Sequence, residues 1–299
     1  MLFPGAFLGY TGVGFCRCKG DHMYRAVILL CLLWGFNWVV MKVATGYFSP
    51  AFFSMLRFTS GAAILFLVIL AKRISLPAKK YWPWIIFTGV TQIAYCNAAM
   101  QTALVDLGSG MAAMLNYTMP VWTAILARLF LKERLSWLRL MGITLSLLGL
   151  GVLLNVNVSG NIGAVLLALS AAVVWGAGNV AMKGKLMGCD LTALTACQMA
   201  TGALVLLPYA LLVEEFSADW NLTSLLCAAY NGVLASALAF LLWCYIIRNM
   251  EAGKAAVSIL AAPVVGVLGG VICLGETMTP LMGAGMLLVF AGIFLSQRA

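Results

Sequence analysis

Long apolar stretches separated by short polar connections fill nearly the whole chain. Ten such stretches are present, and most hold about twenty residues, the length at which an α-helix crosses the hydrocarbon core of a bilayer. The predicted spans are 25–44, 51–71, 82–103, 109–131, 137–156, 162–182, 191–212, 222–246, 255–274 and 278–296. Charged residues make up 9% of the chain, against about a quarter in a soluble domain. The pattern therefore predicts an all-α polytopic membrane protein without a separate soluble domain.

The second five stretches repeat the sequence of the first five. At an offset of 141 residues, segment 34–42 falls on segment 175–183 with five of nine residues identical, among them a Trp-Gly pair. At an offset of 143 residues, Pro120 falls on Pro263 and Glu133 falls on Glu276. Because five is odd, the two halves are expected to cross the membrane in opposite directions, an arrangement typical of secondary transporters.

The duplication divides the chain into three parts. Residues 23–156 are expected to form the first five-helix repeat and residues 157–299 the second, which gives ten transmembrane helices as two inverted repeats. Residues 1–22 have little pattern and are expected to be an unstructured N-terminal extension, with Met23 as an alternative start of the protein.

The basic residues lie mostly on one predicted side of the membrane, in several connections between spans, and do not form one patch. The formal net charge is +9, and with a cytoplasmic N-terminus all 18 lysines and arginines except Lys42 and Arg57 fall on the cytoplasmic side. The positive-inside rule then predicts a multi-pass protein of the inner or plasma membrane with both termini in the cytoplasm. The expected partners are the lipid bilayer and a small-molecule substrate, not nucleic acid, and a monomer and a homodimer both remain open.

Several of these motifs occur together in one known family. They are the Trp-Gly pairs of the first and sixth spans, the Leu-Arg-Phe segment at Leu56–Phe58, the Pro120 span that ends in Leu131–Arg134, and its repeat from Pro263 to Glu276. In this combination the chain from Met23 to Ala299 resembles the EamA-type transporters of the drug/metabolite transporter superfamily. The resemblance implies a ten-helix exporter with a central cavity between the two halves, which moves amino acids, related metabolites or drugs.

Polar and aromatic side chains inside the spans are the candidates for lining such a cavity, because polar groups facing lipid are costly. Some of them recur at helical spacing, such as Trp34, Asn37 and Trp38 on the first span. The candidate substrate-binding residues are Trp34, Asn37, Trp38, Arg57, Gln92, Tyr95, Asn116, Trp175, Asn179 and Trp243. The alternative interpretation of this set is helix–helix packing, in which Asn bonds across an interface and Trp supplies bulk.

Arg57 is the one charge well inside a predicted span. It has two interpretations. The guanidinium either binds a substrate carboxylate, or it snorkels toward the membrane surface or pairs with carbonyls at a helix C-terminus. The equivalent residue in the second half is Gln198, which is polar but neutral.

Proline, glutamate and glycine positions repeat in both halves. Pro120 and Pro263 lie within spans, where each removes a backbone donor, and they are expected to act as hinges beside the cavity or as static kinks. Glu133 and Glu276 precede the last span of each half and are expected to cap a helix N-terminus. Glycines spaced for close helix packing are Gly142, Gly149, Gly285 and Gly292.

The absence of certain motifs and ionisable residues from the spans limits the functions that the protein can have. The sequence contains no P-loop motif, and neither a histidine nor a carboxylate lies at mid-span. We therefore expect no catalytic residue, metal or cofactor, and we expect export down a gradient, exchange, or coupling through protonation of the substrate. The alternatives are an importer or antiporter of phosphorylated solutes, a membrane-embedded enzyme, and a non-transporting scaffold. Phosphorylated solutes favour several basic groups, whereas Trp, Tyr and Asn suit an amphiphilic or zwitterionic solute.

Overall fold

The computed structural model describes residues 19–107, 115–154, 161–212, 217–275 and 277–298. The regular secondary structure in these ranges is helical, apart from one isolated bridge between Phe48 and Ala218, and short turns and irregular segments connect the helices. The helices are α1 (Lys19–Ala44), α2 (Pro50–Lys72), α3 (Trp82–Thr88, Gly89–Tyr95 and Cys96–Asp106 in succession), α4 (Met119–Phe130), α5 (Trp137–Leu153), α6 (Ile162–Lys185), α7 (Leu191–Leu212), α8 (Leu222–Asn249), α9 (Ala252–Cys273) and α10 (Pro280–Gln297).

The first helix begins earlier than the sequence indicates. Helix α1 starts at Lys19, so residues 19–22 of the expected unstructured extension are helical, and the rest of that extension lies outside the described residues. The expected all-helical membrane protein is confirmed. Seven helices, namely α1, α2 and α6 to α10, are long and apolar enough to cross a membrane, and α4 and α5 are shorter apolar helices.

Helix contacts follow the duplication of the sequence. Helix α1 packs on α9, and the equivalent α6 packs on α4. Helix α2 packs on the middle of α8, and the equivalent α7 packs on the middle of α3. The pairs α5–α10 and α2–α7 join equivalent helices of the two halves. Exchanging the two sets of five helices therefore reproduces the same pairs.

Glycines bring α5 and α10 into close contact. A Cβ atom at Gly292 would lie 2.5 Å from the Gly142 carbonyl oxygen, and one at Gly285 would lie 2.8 Å from the Gly149 carbonyl oxygen. Both distances are shorter than real Cβ atoms allow, and the obstructing atoms belong to backbone. The predicted packing role of these glycines is confirmed.

Substitution of Gly292 by Ala is expected to destabilise the protein, because a methyl group between two backbones forces the helices apart. Overpacking of this kind costs about 1–3 kcal/mol of unfolding free energy. Gly283→Ala on the same helix is the control, since its Cβ would meet nothing closer than the Met278 methyl at 3.9 Å. Thermal unfolding of purified variants should show a lower midpoint for Gly292→Ala alone. Equal midpoints would contradict the packing role.

Two helices widen at equivalent places. Residues Gly89–Tyr95 of α3 and Tyr230–Leu238 of α8 are π-helical. The segments include Gly89 and Gly232, which are equivalent at the 143-residue offset. Both glycines face the second helix of the opposite half, because added Cβ atoms would collide with Thr201 and Ser60 respectively. Segments of this type are frequent at functional sites, since they leave carbonyls free of the regular helical ladder.

Pro120 and Pro263, the prolines that occupy equivalent positions in the two halves, each lie in the first turn of an α-helical segment. Pro120 occupies the first turn of α4 after a turn at 117–118, and Pro263 starts an α-helical segment, Ala262–Leu274, after the 3₁₀ segment Ile259–Ala261. Each proline thus occupies the first turn of its α-helical segment, where the backbone N–H that proline lacks would have no partner within the helix. The hinge role of the two prolines stays a prediction.

Candidate functional site

Asn179 holds the centre of the bundle together. Its side chain is fully buried on α6. The carbonyl oxygen Oδ1 accepts hydrogen bonds from Gln92 Nε2 at 2.8 Å and from Trp243 Nε1 at 3.2 Å. The amide Nδ2 donates to Thr123 Oγ1 at 3.3 Å. One side chain therefore connects α3, α4, α6 and α8, and three of the predicted site residues meet.

An aromatic cluster lies against this network. The Trp34 ring centroid is 6.3 Å from that of Trp175, 5.9 Å from that of Trp243 and 5.5 Å from that of Phe240. The rings meet at steep or tilted angles, the arrangement that aromatic pairs prefer. Trp34 and Trp175 are equivalent in the two halves, so the cluster lies where the halves meet.

Arg57 points into the protein and not toward the membrane surface. Its side chain is 6% exposed on α2. Nε donates to Ser236 Oγ at 3.0 Å, and Nη2 donates to the Ala235 carbonyl at 3.4 Å. Both acceptors belong to the π-helical segment of α8. The snorkelling interpretation is wrong, and the acceptor carbonyl lies in mid-helix and not at a helix C-terminus.

Trp34, Met41 and Asn37 connect Arg57 to the aromatic cluster. Trp34 Nε1 donates to the same Ala235 carbonyl at 3.1 Å. Met41 Sδ lies 3.8 Å from Arg57 Nη1 and 3.1 Å from Asn37 Nδ2. Among the described residues, two buried polar atoms of this region have no hydrogen-bond partner, Asn37 Oδ1 and Trp175 Nε1. The centre therefore offers one free acceptor and one free donor.

Three expected site residues lie apart from this centre. Trp38 is exposed and donates to the Tyr117 hydroxyl at 3.1 Å, and Asn116 is half-buried next to Tyr117 in the chain. Tyr95 is exposed and bonds Ser170 at 2.7 Å. Gln92 and Tyr95 are three residues apart, a spacing that would place them on one face of an α-helix. They lie in the π-helical segment instead, whose wider turn separates them, so Gln92 is buried and Tyr95 is exposed.

The centre also contains residues that are not among the expected ones. Ser236 and Phe240 lie four residues apart and share a face of α8 with Trp243. This helical spacing is the sequence pattern from which the two residues could have been predicted to lie beside Trp243. Asn37, Arg57, Gln92, Asn179 and Trp243 are buried, whereas Trp34 and Trp175 are partly buried.

A charged cluster lies at one end of the bundle. The Glu133 carboxylate accepts hydrogen bonds from the N–H groups of Ala252 at 2.9 Å and Gly253 at 3.3 Å, at the start of α9. Lys183 Nζ lies 3.9 Å from Glu133 and donates to the Met250 carbonyl. The expected capping by Glu133 is confirmed, but the capped helix belongs to the other half. Glu276 lies outside the described residues.

Arg139 and Glu251 add an ion pair at the same end. Arg139 belongs to α5 of the first half and Glu251 immediately precedes α9 of the second. In the part of the chain that the structure describes, no group of His, Cys, Asp and Glu is arranged to hold a metal ion. The acidic residues here serve contacts between the halves.

Comparison with known proteins identifies the family. A model of the EamA-like transporter family matches the chain twice, at residues 23–155 and 162–297. The chain belongs to the EamA-like transporter family. The resemblance expected from the motifs is confirmed, and the protein is a membrane protein of a transporter family.

Relatives of this EamA-like chain extend over nearly its whole length. The "Uncharacterized transporter YoaV" of Bacillus subtilis (strain 168) is 29% identical, covering 90% of this chain and 94% of that protein. The "Probable amino-acid metabolite efflux pump" of Salmonella typhimurium (strain LT2) is 26% identical, covering 90% and 92% respectively. A solved crystal structure shares the fold with a TM-score of 0.81 at 20% identity, covering 93% of this chain and 97% of its own.

Proposed function

We propose that this protein is a secondary transporter that exports amino acids or related small metabolites by alternating access. The observation that carries the proposal is the central site, where Asn179, the aromatic cluster and Arg57 join helices of both halves. A site at the meeting point of two repeats is where such transporters bind their solutes. The name of the Salmonella relative supports the substrate class.

Ten membrane crossings as two inverted five-helix repeats, divided near residue 156, are part of the proposal. The symmetric helix contacts support them, because the pairs α1–α9 and α6–α4 are related by exchange of the halves. The positive-inside distribution supports cytoplasmic termini in the inner or plasma membrane. The charged cluster of Glu133, Lys183, Arg139 and Glu251 then lies on the cytoplasmic side.

In this arrangement the structure corresponds to a state closed toward the cytoplasm. Glu133 and Arg139 of the first half hold Lys183, Glu251 and the start of α9. A solute that enters from the cytoplasm requires these contacts to separate. The π-helical segments and the breaks before Pro120 and Pro263 are the places where we propose that the helices bend.

Phosphorylated solutes are a weaker alternative. A phosphoryl group favours several basic donors, and Lys183 is already bound to the backbone carbonyls of Ile247 and Met250 and lies beside Glu133. Arg57 is the basic side chain that contacts the central site. A solute with one anionic group fits this arrangement better.

A resistance screen tests the proposed function. Cells that overexpress the protein are grown on a panel of toxic amino-acid analogues, and survival is compared with that of cells carrying an empty vector. We expect survival on at least one analogue, with the intracellular concentration of that analogue reduced. Sensitivity to the whole panel, with the protein present in the membrane, would contradict export of amino acids.

Transport into proteoliposomes tests whether solute transport is coupled to a proton gradient. We expect uptake of the identified solute with or without a pH gradient, because the spans offer no carboxylate or histidine at their centre to carry a proton. The control is the same vesicle with an ionophore that collapses the gradient. A strict requirement for the gradient by a solute that does not titrate would contradict this prediction.

A further inference from the structure

We infer that Arg57 and Asn37 form the binding site for the head group of a zwitterionic α-amino acid. Arg57 binds the carboxylate, and the carbonyl oxygen of Asn37 binds the ammonium group. This inference rests on the proposed function and adds to it the two charges that the substrate must carry.

Arg57 is a buried cation, and no acidic side chain within the described ranges pairs with it. Its guanidinium has five N–H donors. Its described contacts are all with neutral groups: the acceptors Ser236 Oγ, the Ala235 carbonyl and Met41 Sδ, and the Phe58 ring, whose centroid lies 4.7 Å from Cζ. The two ion pairs found within the described ranges involve other cations, Arg139 and Lys183. A buried charge is unfavourable unless it is paired. A carboxylate matches the planar fork of the guanidinium and would supply the missing charge.

Asn37 supplies the complementary group. Its side chain is 6% exposed, and its amide nitrogen donates to Met41 Sδ. Its carbonyl oxygen is buried and has no partner among the described residues. An unpaired buried acceptor is costly, and an ammonium group has three donors to offer it.

The two groups are close enough for one small head group. Arg57 Nη1 and Asn37 Nδ2 both contact the sulfur of Met41, at 3.8 Å and 3.1 Å. In an α-amino acid a single carbon atom separates the carboxylate from the ammonium group. One molecule of this class therefore satisfies both side chains, which an organic cation or a simple anion does not.

The substrate side chain is expected to point toward the aromatic cluster. Trp34 Nε1 and Arg57 Nη2 share the Ala235 carbonyl, so the cluster begins next to the guanidinium. Its rings offer apolar surface to an aliphatic or aromatic side chain. L-Leucine, L-methionine and L-phenylalanine are therefore the probes to use.

Binding is measured by the thermal stability of the purified full-length protein in detergent. The three amino acids are expected to raise the unfolding midpoint, because a ligand that binds only the folded state stabilises it. Leucinamide lacks the carboxylate charge and N-acetyl-L-leucine lacks the ammonium group, and neither is expected to raise the midpoint at the same concentration.

Substitutions of Arg57 and Asn37 test which residue binds which charged group of the amino acid. Arg57→Gln is expected to weaken L-leucine binding about 10- to 150-fold, the effect of losing a hydrogen bond to a charged group. Arg57→Lys keeps the charge and should lose less. Asn37→Leu should also weaken L-leucine binding. Glutamine is a suitable replacement because the buried Gln198 occupies the equivalent position of the other half. The control is Arg128→Gln, which removes an exposed arginine.

Three results of the binding measurements would overturn the inference. They are stabilisation by leucinamide equal to that by leucine, unchanged binding in folded Arg57→Gln, and failure of every zwitterion to stabilise the wild type. The resistance and transport assays judge the proposed function separately. Export of a solute that lacks either charge would keep the transporter and refute the head-group site. Binding of zwitterions without any transport would keep the site and refute export.

Discussion

Substitution of Asn179 by Ala is expected to lower transport at least about 100-fold, with the protein still present in the membrane. The side chain joins Gln92, Trp243 and Thr123, which lie on three other helices. Its loss leaves the Trp243 N–H and one donor of Gln92 buried without this acceptor. Each of the two orphaned groups costs about 1–3 kcal/mol, so the unfolding free energy should fall by about 2–6 kcal/mol. Transport is measured per amount of protein in proteoliposomes, and stability by thermal unfolding.

Two variants make this prediction specific. Thr123→Val removes only the acceptor of Asn179 Nδ2 and should cost about 1 kcal/mol with a smaller loss of transport. Asn249→Ala is the control, because Asn249 is an exposed asparagine that bonds only its own helix, at the Tyr245 carbonyl. Transport by Asn179→Ala at the level of Asn249→Ala would show that the network is merely packing.

The helices and several site residues could be predicted because their signals are local or repeated. The apolar length of each stretch determines where a helix crosses lipid. Trp34, Trp175 and Asn179 stand out as large or polar side chains inside apolar runs. In the structure the two Trp rings lie 6.3 Å apart, and the substrate-binding role of the three residues stays a prediction. The duplication further indicates that equivalent helices form equivalent contacts, as α1–α9 and α6–α4 do.

Other features depend on contacts between distant parts of the chain. No residue pattern distinguishes a π-helical segment from an α-helical one, so the separation of Gln92 from Tyr95 was not predictable. The acceptors of Arg57, Ser236 and the Ala235 carbonyl, lie about 180 residues away and are ordinary in sequence. Glu133 precedes α5, yet it caps α9, because the fold and not the chain places that N-terminus beside it.

The two halves are similar in structure but differ in charge at one decisive position. Arg57 binds the π-helical segment of α8, whereas its equivalent, Gln198, donates to Thr88 at 2.6 Å, immediately before the π-helical segment of α3. Both contacts connect the second helix of one half to the widened helix of the other. Both halves therefore keep a hydrogen bond between these two helices, and in the first half the donor is also positively charged.

Substitution of Glu133 by Gln is expected to loosen the end of the bundle that we propose faces the cytoplasm. A carboxylate that accepts two backbone N–H groups at a helix start, beside a lysine, is worth about 1.5–3 kcal/mol. Its loss shifts the equilibrium between closed and open forms about tenfold or more. Hydrogen exchange measured by mass spectrometry should accelerate at the start of α9 by a similar factor, and transport should fall.

A second carboxylate at the same end provides a matched control. Asp190 also caps a helix, accepting from the N–H groups of Thr192 and Ala193, but the helix is its own α7. Asp190→Asn should accelerate exchange only in the first turn of α7. Glu133→Gln should also accelerate exchange around Lys183 and Met250, because it releases a contact between the two halves. If both variants changed only their local turns, Glu133 would be a helix cap without a role in the proposed closure of the cytoplasmic side.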